Sequence, residues 1–146
     1  MPANRPFSFR LPASLALAAG LLLPASGAAA QSSLLERWYT AVFDVNRVAI
    51  SDLLAEDALI RLEDLGVTQT KTEYLESLED WADVVKSANF AWQIDESETA
   101  DDTAATALVC YQFPDKEVMI REVFAFRDGK IIAASQSTAD DSCEDF

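Results

Sequence analysis

From about residue 33 the apolar positions recur first at helical spacing and then, beyond Asn89, at every second residue, and the helical pattern does not return. Leu34, Leu35, Trp38, Tyr39, Val42 and Phe43 predict a first helix over about 33–43. Asn46 is placed to cap a second, shorter helix that runs to Leu54 with Val48, Ile50, Leu53 and Leu54 as its apolar content. A short strand is expected near Ala58 to Glu63, with a brief extended piece after Gly66. Thr70 and Glu73 have the spacing of a capping box and mark the start of a third helix, whose apolar stripe is Tyr74, Leu75, Leu78, Trp81, Ala82 and Val85. Its other face carries Glu76, Glu79, Asp80 and Asp83 and reads as solvated surface.

The second half alternates as half-buried strands do. One strand is centred on Phe90, Trp92 and Ile94, and three longer ones span Ala104 to Phe113, Glu117 to Arg127 and Lys130 to Ser137. Pro114-Asp115-Lys116 and Asp128-Gly129 are hairpin connections, so the sheet is expected to be largely antiparallel. Helices segregated from a run of strands predict an α+β architecture, because each layer has one apolar face that only the other can bury.

The first thirty residues have a different character. Arg5 and Arg10 precede an apolar run from Leu11 to Leu23, and Ala28-Ala29-Ala30 precede Gln31, the pattern of a cleavable export signal over 1–30. The run is interrupted by Pro12 and Gly20 and is shorter than the roughly 20 residues of a membrane-spanning helix. A periplasmic or secreted protein is expected, with a domain over 31–137, an acidic tail over 138–146, and no membrane insertion after cleavage. Removing Arg5 and Arg10 leaves nine basic against twenty-five acidic residues, a formal charge of −16. Such a field repels phosphate backbones and argues against nucleic acid as a partner. Cys110 and Cys143, the only cysteines, suit a disulfide in an oxidising compartment. The bridge would close a loop of about 34 residues and contribute on the order of 3–4 kcal/mol in the chain-entropy model.

One residue breaks its pattern. On the strand over 117–127, Val118, Ile120, Phe124 and Phe126 share a face by period two, and Glu122 shares it with them. A carboxylate between Ile120 and Phe124 is partly desolvated, which raises its pKa and makes it a candidate proton donor or base. No metal or other cofactor is expected: the chain has no histidine, the carboxylates lack the spacing of a calcium loop, and four glycines make no phosphate-binding loop.

The order of elements, the segment Asp52 to Ile60 with its L-x-A-E-D-A run from Leu53 to Ala58, and the closing Phe124-Ala-Phe-Arg-Asp-Gly-Lys130 resemble the nuclear transport factor 2-like superfamily. That superfamily includes ketosteroid isomerases, scytalone dehydratases, SnoaL-like polyketide cyclases and non-catalytic members. The resemblance covers the chain from residue 31 onward and implies a curved sheet packed on three N-terminal helices around a conical cavity, often with a dimer formed through the outer face of the sheet. It implies an oxyanion-hole role for an acid at Glu122. The isomerase tyrosine of the first helix aligns with Trp38, with Tyr39 next to it and about 100° round the helix, and the isomerase carboxylate aligns with Leu62.

The expected catalytic pair, Glu122 with Tyr39 as hydrogen-bond donor, therefore lacks a base. Trp38, Leu62, Trp92, Ile120, Phe124 and Phe126 are expected to line the pocket. Arg61 and Arg121 are expected to balance acids on the outer face. The function expected is non-catalytic binding of a small apolar molecule or of an envelope protein, the latter through the acidic face of the third helix. The alternative is an isomerase, dehydratase or cyclase built on Glu122.

Overall fold

The computed structural model describes residues 27–98 and 102–146. The expected export signal lies mainly outside them. Helices α1 (Gly27–Phe43) and α2 (Arg47–Leu53) lead directly into strand β1 (Leu54–Leu62), followed by a 3₁₀ turn (Glu63–Leu65), β2 (Val67–Thr70) and α3 (Lys71–Val85). Four strands complete the domain: β3 (Asn89–Ile94), β4 (Ala104–Gln112), β5 (Glu117–Arg127) and β6 (Lys130–Asp140). They form one sheet in the order β2-β1-β6-β5-β4-β3, antiparallel except for the β1–β6 pair. The sheet is curved and open, and the helices cover its concave side, the α+β arrangement expected.

Local chemistry places the boundaries. Asn46 accepts from the Ala49 N–H at 3.1 Å and caps α2. Thr70 and Glu73 form the reciprocal capping box at the head of α3, with the Thr70 N–H donating to Glu73 at 2.7 Å. Asp128 and Gly129 both take positive φ, 53° and 73°, the geometry in which a two-residue turn matches the twist of β5 and β6. Three boundaries differ from expectation. Helix α1 begins at Gly27, not near residue 33, so Ala28-Ala29-Ala30 lie within it. Strand β1 begins at Leu54, not Ala58, because Leu54 already pairs with Ile131 before a register shift ahead of Leu59. Strand β6 continues three residues past Ser137, because Thr138 and Asp140 pair with Ile120 and Met119 of β5.

The core is an aromatic wedge under α1. Leu35, Trp38 and Tyr39 of α1 and Phe124 of β5 are essentially inaccessible to solvent. Trp38 meets Phe124 edge-on at 6.1 Å and stacks on Tyr74 of α3 at 5.9 Å, while Tyr39 stacks on Trp92 of β3 at 4.6 Å. The Trp81 indole donates to the Val42 carbonyl at 2.9 Å and ties α3 to the end of α1. Among the described residues, no helix is long and apolar enough to cross a membrane.

Cys110 and Cys143 are joined, with Cα atoms 5.8 Å apart. The Cys143 N–H donates to Glu117 at 3.1 Å, so the tail is fastened across β5 to the outer side of β4. The bond is consistent with an extracytoplasmic location. Replacing both cysteines by serine should lower unfolding free energy in denaturant by about 3 kcal/mol with the far-ultraviolet dichroism preserved. An unchanged midpoint would show that the bridge contributes nothing to the fold.

Candidate functional site

The inner face of the sheet is set by register. Ala107 of β4 and Gln136 of β6 flank Glu122 of β5, while Val109, Tyr111, Ile120 and Phe124 continue the same face. Glu122 thus points where period two requires, and it is only 3% exposed. The Tyr39 hydroxyl donates to Glu122 Oε2 at 3.0 Å, a bond that joins α1 to the middle of the sheet. The other oxygen, Oε1, receives no hydrogen bond from the described residues and keeps some exposure to the space above it.

That space is a hollow between α3, the 3₁₀ turn and β4–β6, in two lobes of about 290 and 440 Å³. Leu62, Leu65, Trp81, Tyr111, Glu122 and Gln136 line both. Trp38, Tyr74 and Leu78 close the larger lobe; Phe113, Val118 and Ile120 close the smaller. A depression of about 670 Å³ lies elsewhere, between α1, α2 and the β5–β6 turn, but it is open and the charged and polar side chains that line it are all exposed. The hollow over Glu122 is therefore the stronger candidate, having a largely apolar lining with one buried carboxyl at its floor.

Of the residues expected to line the pocket, Trp38, Leu62 and Ile120 do so. Trp92, Phe124 and Phe126 do not. Trp92 is spent on the Tyr39 ring, Phe124 is wedged against Trp38 and Tyr39, and Phe126 stacks on Phe124 at 6.2 Å. Phe124 and Phe126 are buried in the core and Trp92 is half-buried against Tyr39, so all three rings are used in packing on other rings and not in lining the gap. In their place stand Trp81, Tyr74 and Tyr111. The signal for Tyr111 is its parity with Ala105, Ala107 and Val109 on β4. No local pattern marks Leu65 or Gln136.

The electrostatics follow from burial. Loss of water raises the Glu122 carboxyl from 4.5 to about 7, and the Tyr39 hydrogen bond offsets part of that rise. Burial first, and then the Glu122 charge, push the phenols of Tyr39, Tyr74 and Tyr111 above their ordinary value. No arginine or lysine lines the hollow. Arg121 is on the opposite face, paired with Glu98 at 2.9 Å, and Arg61 is paired with Glu63 at 2.7 Å. Among the described residues no three carboxylates or thiols are placed to share a metal ion. What the arrangement can do is hold one polar atom of a mostly apolar molecule, with a carboxyl able to donate or accept near neutral pH.

The α+β cone, with a single buried acid among its described residues, can be set beside known folds. No protein-family model matches the chain and no curated protein is similar to it in sequence. Solved structures are similar in fold. An NTF-2 like protein of unknown function from Burkholderia xenovorans matches with a TM-score of 0.63 at 15% identity, over 77% of this chain and 85% of that one. A steroid delta-isomerase from Pseudomonas aeruginosa matches at 0.60 and 16%, over 77% and 81%. A candidate polyketide cyclase from Sinorhizobium meliloti matches at 0.54 and 21%, over 74% and 98%. The chain has the nuclear transport factor 2-like fold, as the resemblance implied.

The raised carboxyl has a measurable consequence. Glu122 binds its proton more tightly folded than unfolded, so its contribution favours the folded state below pH 4.5 and is lost as pH rises to about 7. Between those limits the wild type should lose up to a few kcal/mol that Glu122→Gln does not lose. The difference between the two proteins in chemical denaturation at pH 5 and pH 8 isolates this effect from the many surface carboxylates. Parallel pH profiles would mean that Glu122 is ionised and solvated in the native state.

Proposed function

We propose that this chain is an exported, non-catalytic binding protein for a small, largely apolar molecule held in the hollow over Glu122. The observation that carries the reading is a lone buried carboxylate with one open oxygen beneath an aromatic lining, with an aliphatic residue, Leu62, where an isomerase-like site would carry its base. General acid–base turnover needs a donor and an acceptor in reach of the substrate. Of the acids that line the hollow besides Glu122, Asp64 is held by the Thr138 N–H and hydroxyl, and Asp80 is on the exposed side of α3. Export is supported by the signal-like pattern of 1–30 together with the disulfide. Leu59 and Val123, exposed on the outer face of the sheet, support a homodimer through that face.

A second reading is favoured by one observation, the Tyr39–Glu122 hydrogen bond at 3.0 Å. A phenol and a carboxyl near its midpoint at neutral pH can stabilise a developing enolate, so isomerisation or cyclisation of a ketone is the catalytic alternative.

One pair of measurements separates the two. The neutral dye N-phenyl-1-naphthylamine should brighten on binding the wild type, and Leu62→Glu should weaken its affinity at least tenfold. Isomerisation of a Δ5-3-ketosteroid, followed by absorbance of the conjugated ketone, should not exceed the rate with Glu122→Gln. Dye binding indifferent to Leu62→Glu would remove the hollow as the site. Turnover that vanishes in Glu122→Gln would replace the binding reading by the catalytic one.

A further inference from the structure

The geometry points to a cationic ligand: an aliphatic or aromatic amine whose protonated nitrogen sits against Glu122 Oε1 and the faces of the surrounding aromatic rings. The inference rests on the hollow being a binding site, and it names the ligand's charge and chemical class.

Three independent features of the hollow agree. Every charged side chain lining it is acidic, namely Asp64, Asp80 and Glu122. Glu122 is nine-tenths buried or more, has one oxygen held by Tyr39 and the other without a donor among the described residues, and none of their cations pairs with it. Trp38, Tyr74, Trp81 and Tyr111 line the same lobe as Glu122, and aromatic rings attract an ammonium group through the quadrupoles of their faces. An isolated carboxylate in an apolar setting is unfavourable, and the chain leaves its natural counter-charge to be supplied from outside. The strongly acidic field of the whole chain would also draw cations toward the mouth, where Asp64 and Asp80 stand.

A neutral ligand would use the same carboxyl differently. To hold a carbonyl oxygen, Glu122 must donate and therefore be protonated; to hold an ammonium group, it must be ionised. The titratable groups around it are Tyr39 from α1, Tyr74 from α3 and Tyr111 from β4, with Asp80 of α3 and Asp64 of the 3₁₀ turn lining the outer part of the hollow. The three phenols stay neutral below their raised pKa values, and the two aspartates are at the rim. Between pH 6 and pH 8 the charge that changes in the hollow is that of Glu122, whose midpoint is about 7. The apparent affinity of an amine should scale with the ionised fraction and rise about tenfold over that interval, whereas that of a carbonyl or alcohol acceptor should fall.

The test uses 4-phenylbutylamine and its uncharged counterpart 4-phenylbutanol, titrated calorimetrically into the full chain purified with its disulfide intact, at pH 6 and pH 8. The amine should bind at least tenfold more tightly than the alcohol at pH 8, gain about tenfold from pH 6 to pH 8, and release a proton when bound at pH 6. Glu122→Gln, checked by its melting profile as folded, should lose the preference for the amine while keeping the alcohol. Equal binding of both probes, or amine binding that weakens as pH rises, would overturn the cationic assignment and leave the apolar pocket standing. Amine binding that survives Glu122→Gln unchanged would place the cation on the acidic surface and overturn it too. Failure of both probes at millimolar concentration, together with no dye binding, would overturn the pocket reading itself.

Discussion

The packing of Trp38 and Tyr39 of α1 against the concave face of β5 is the contact on which both the core and the site depend. Trp38 is wedged between Phe124 below and Tyr74 beside it, and Tyr39 between Phe124 and Trp92. Because consecutive helix positions differ by about 100°, the pair presents two rings in different directions, one toward the α3 side and the hollow and one toward β3. The Tyr39 hydroxyl emerges from this wedge at the middle of the sheet, where Glu122 accepts it. Removal of either ring would open the floor of the hollow as well as the core, so stability and ligand contact cannot be separated at these two residues.

Glu122 is expensive in isolation. A carboxylate with 3% exposure loses nearly all of its hydration, and one phenolic hydrogen bond does not replace it. The group is accommodated because it can carry a proton near neutral pH and because one of its oxygens opens on a cavity that a ligand or water can occupy. Several cations are engaged on the outside, where Arg121, Arg127 and Lys71 meet Asp95 and Glu98, Asp57, and Glu56 respectively. One buried acid, with no arginine or lysine among the residues that line the hollow, is what gives the hollow its chemical bias.

Much of the architecture was legible because its signals are local. The capping box at Thr70 and Glu73, the Asn46 cap and the Asp128-Gly129 turn need only a few neighbouring residues, and each has the expected geometry. The inward aim of Glu122 was legible for the same reason, since alternation along β5 has a period of two whatever the strand pairs with. The full length of β1 was not legible. Glu56 and Asp57 lie in the register shift between Leu54 and Leu59, and the strand reaches back to Leu54 because Ile131 of β6, more than 70 residues on, pairs with it. The same holds for the end of β6, where pairing with β5 orders residues whose composition reads as a tail.

Which aromatic residues fill the core and which line the hollow is also a matter of distance in the chain. Trp92 and Phe124 have the alternation of pocket residues, and Trp81 has the spacing of a core helix, but their roles are exchanged once α1 covers one end of the sheet and leaves the other open. The amino-acid sequence alone determined the element types, the caps and turns, the face on which Glu122 lies and the two thiols available to pair, because these follow from backbone geometry over a few residues. Tertiary structure alone decided that Tyr39 meets Glu122 across 83 positions, that no cation reaches it, and where space remains above it, because packing of distant elements leaves a cavity that no local pattern encodes.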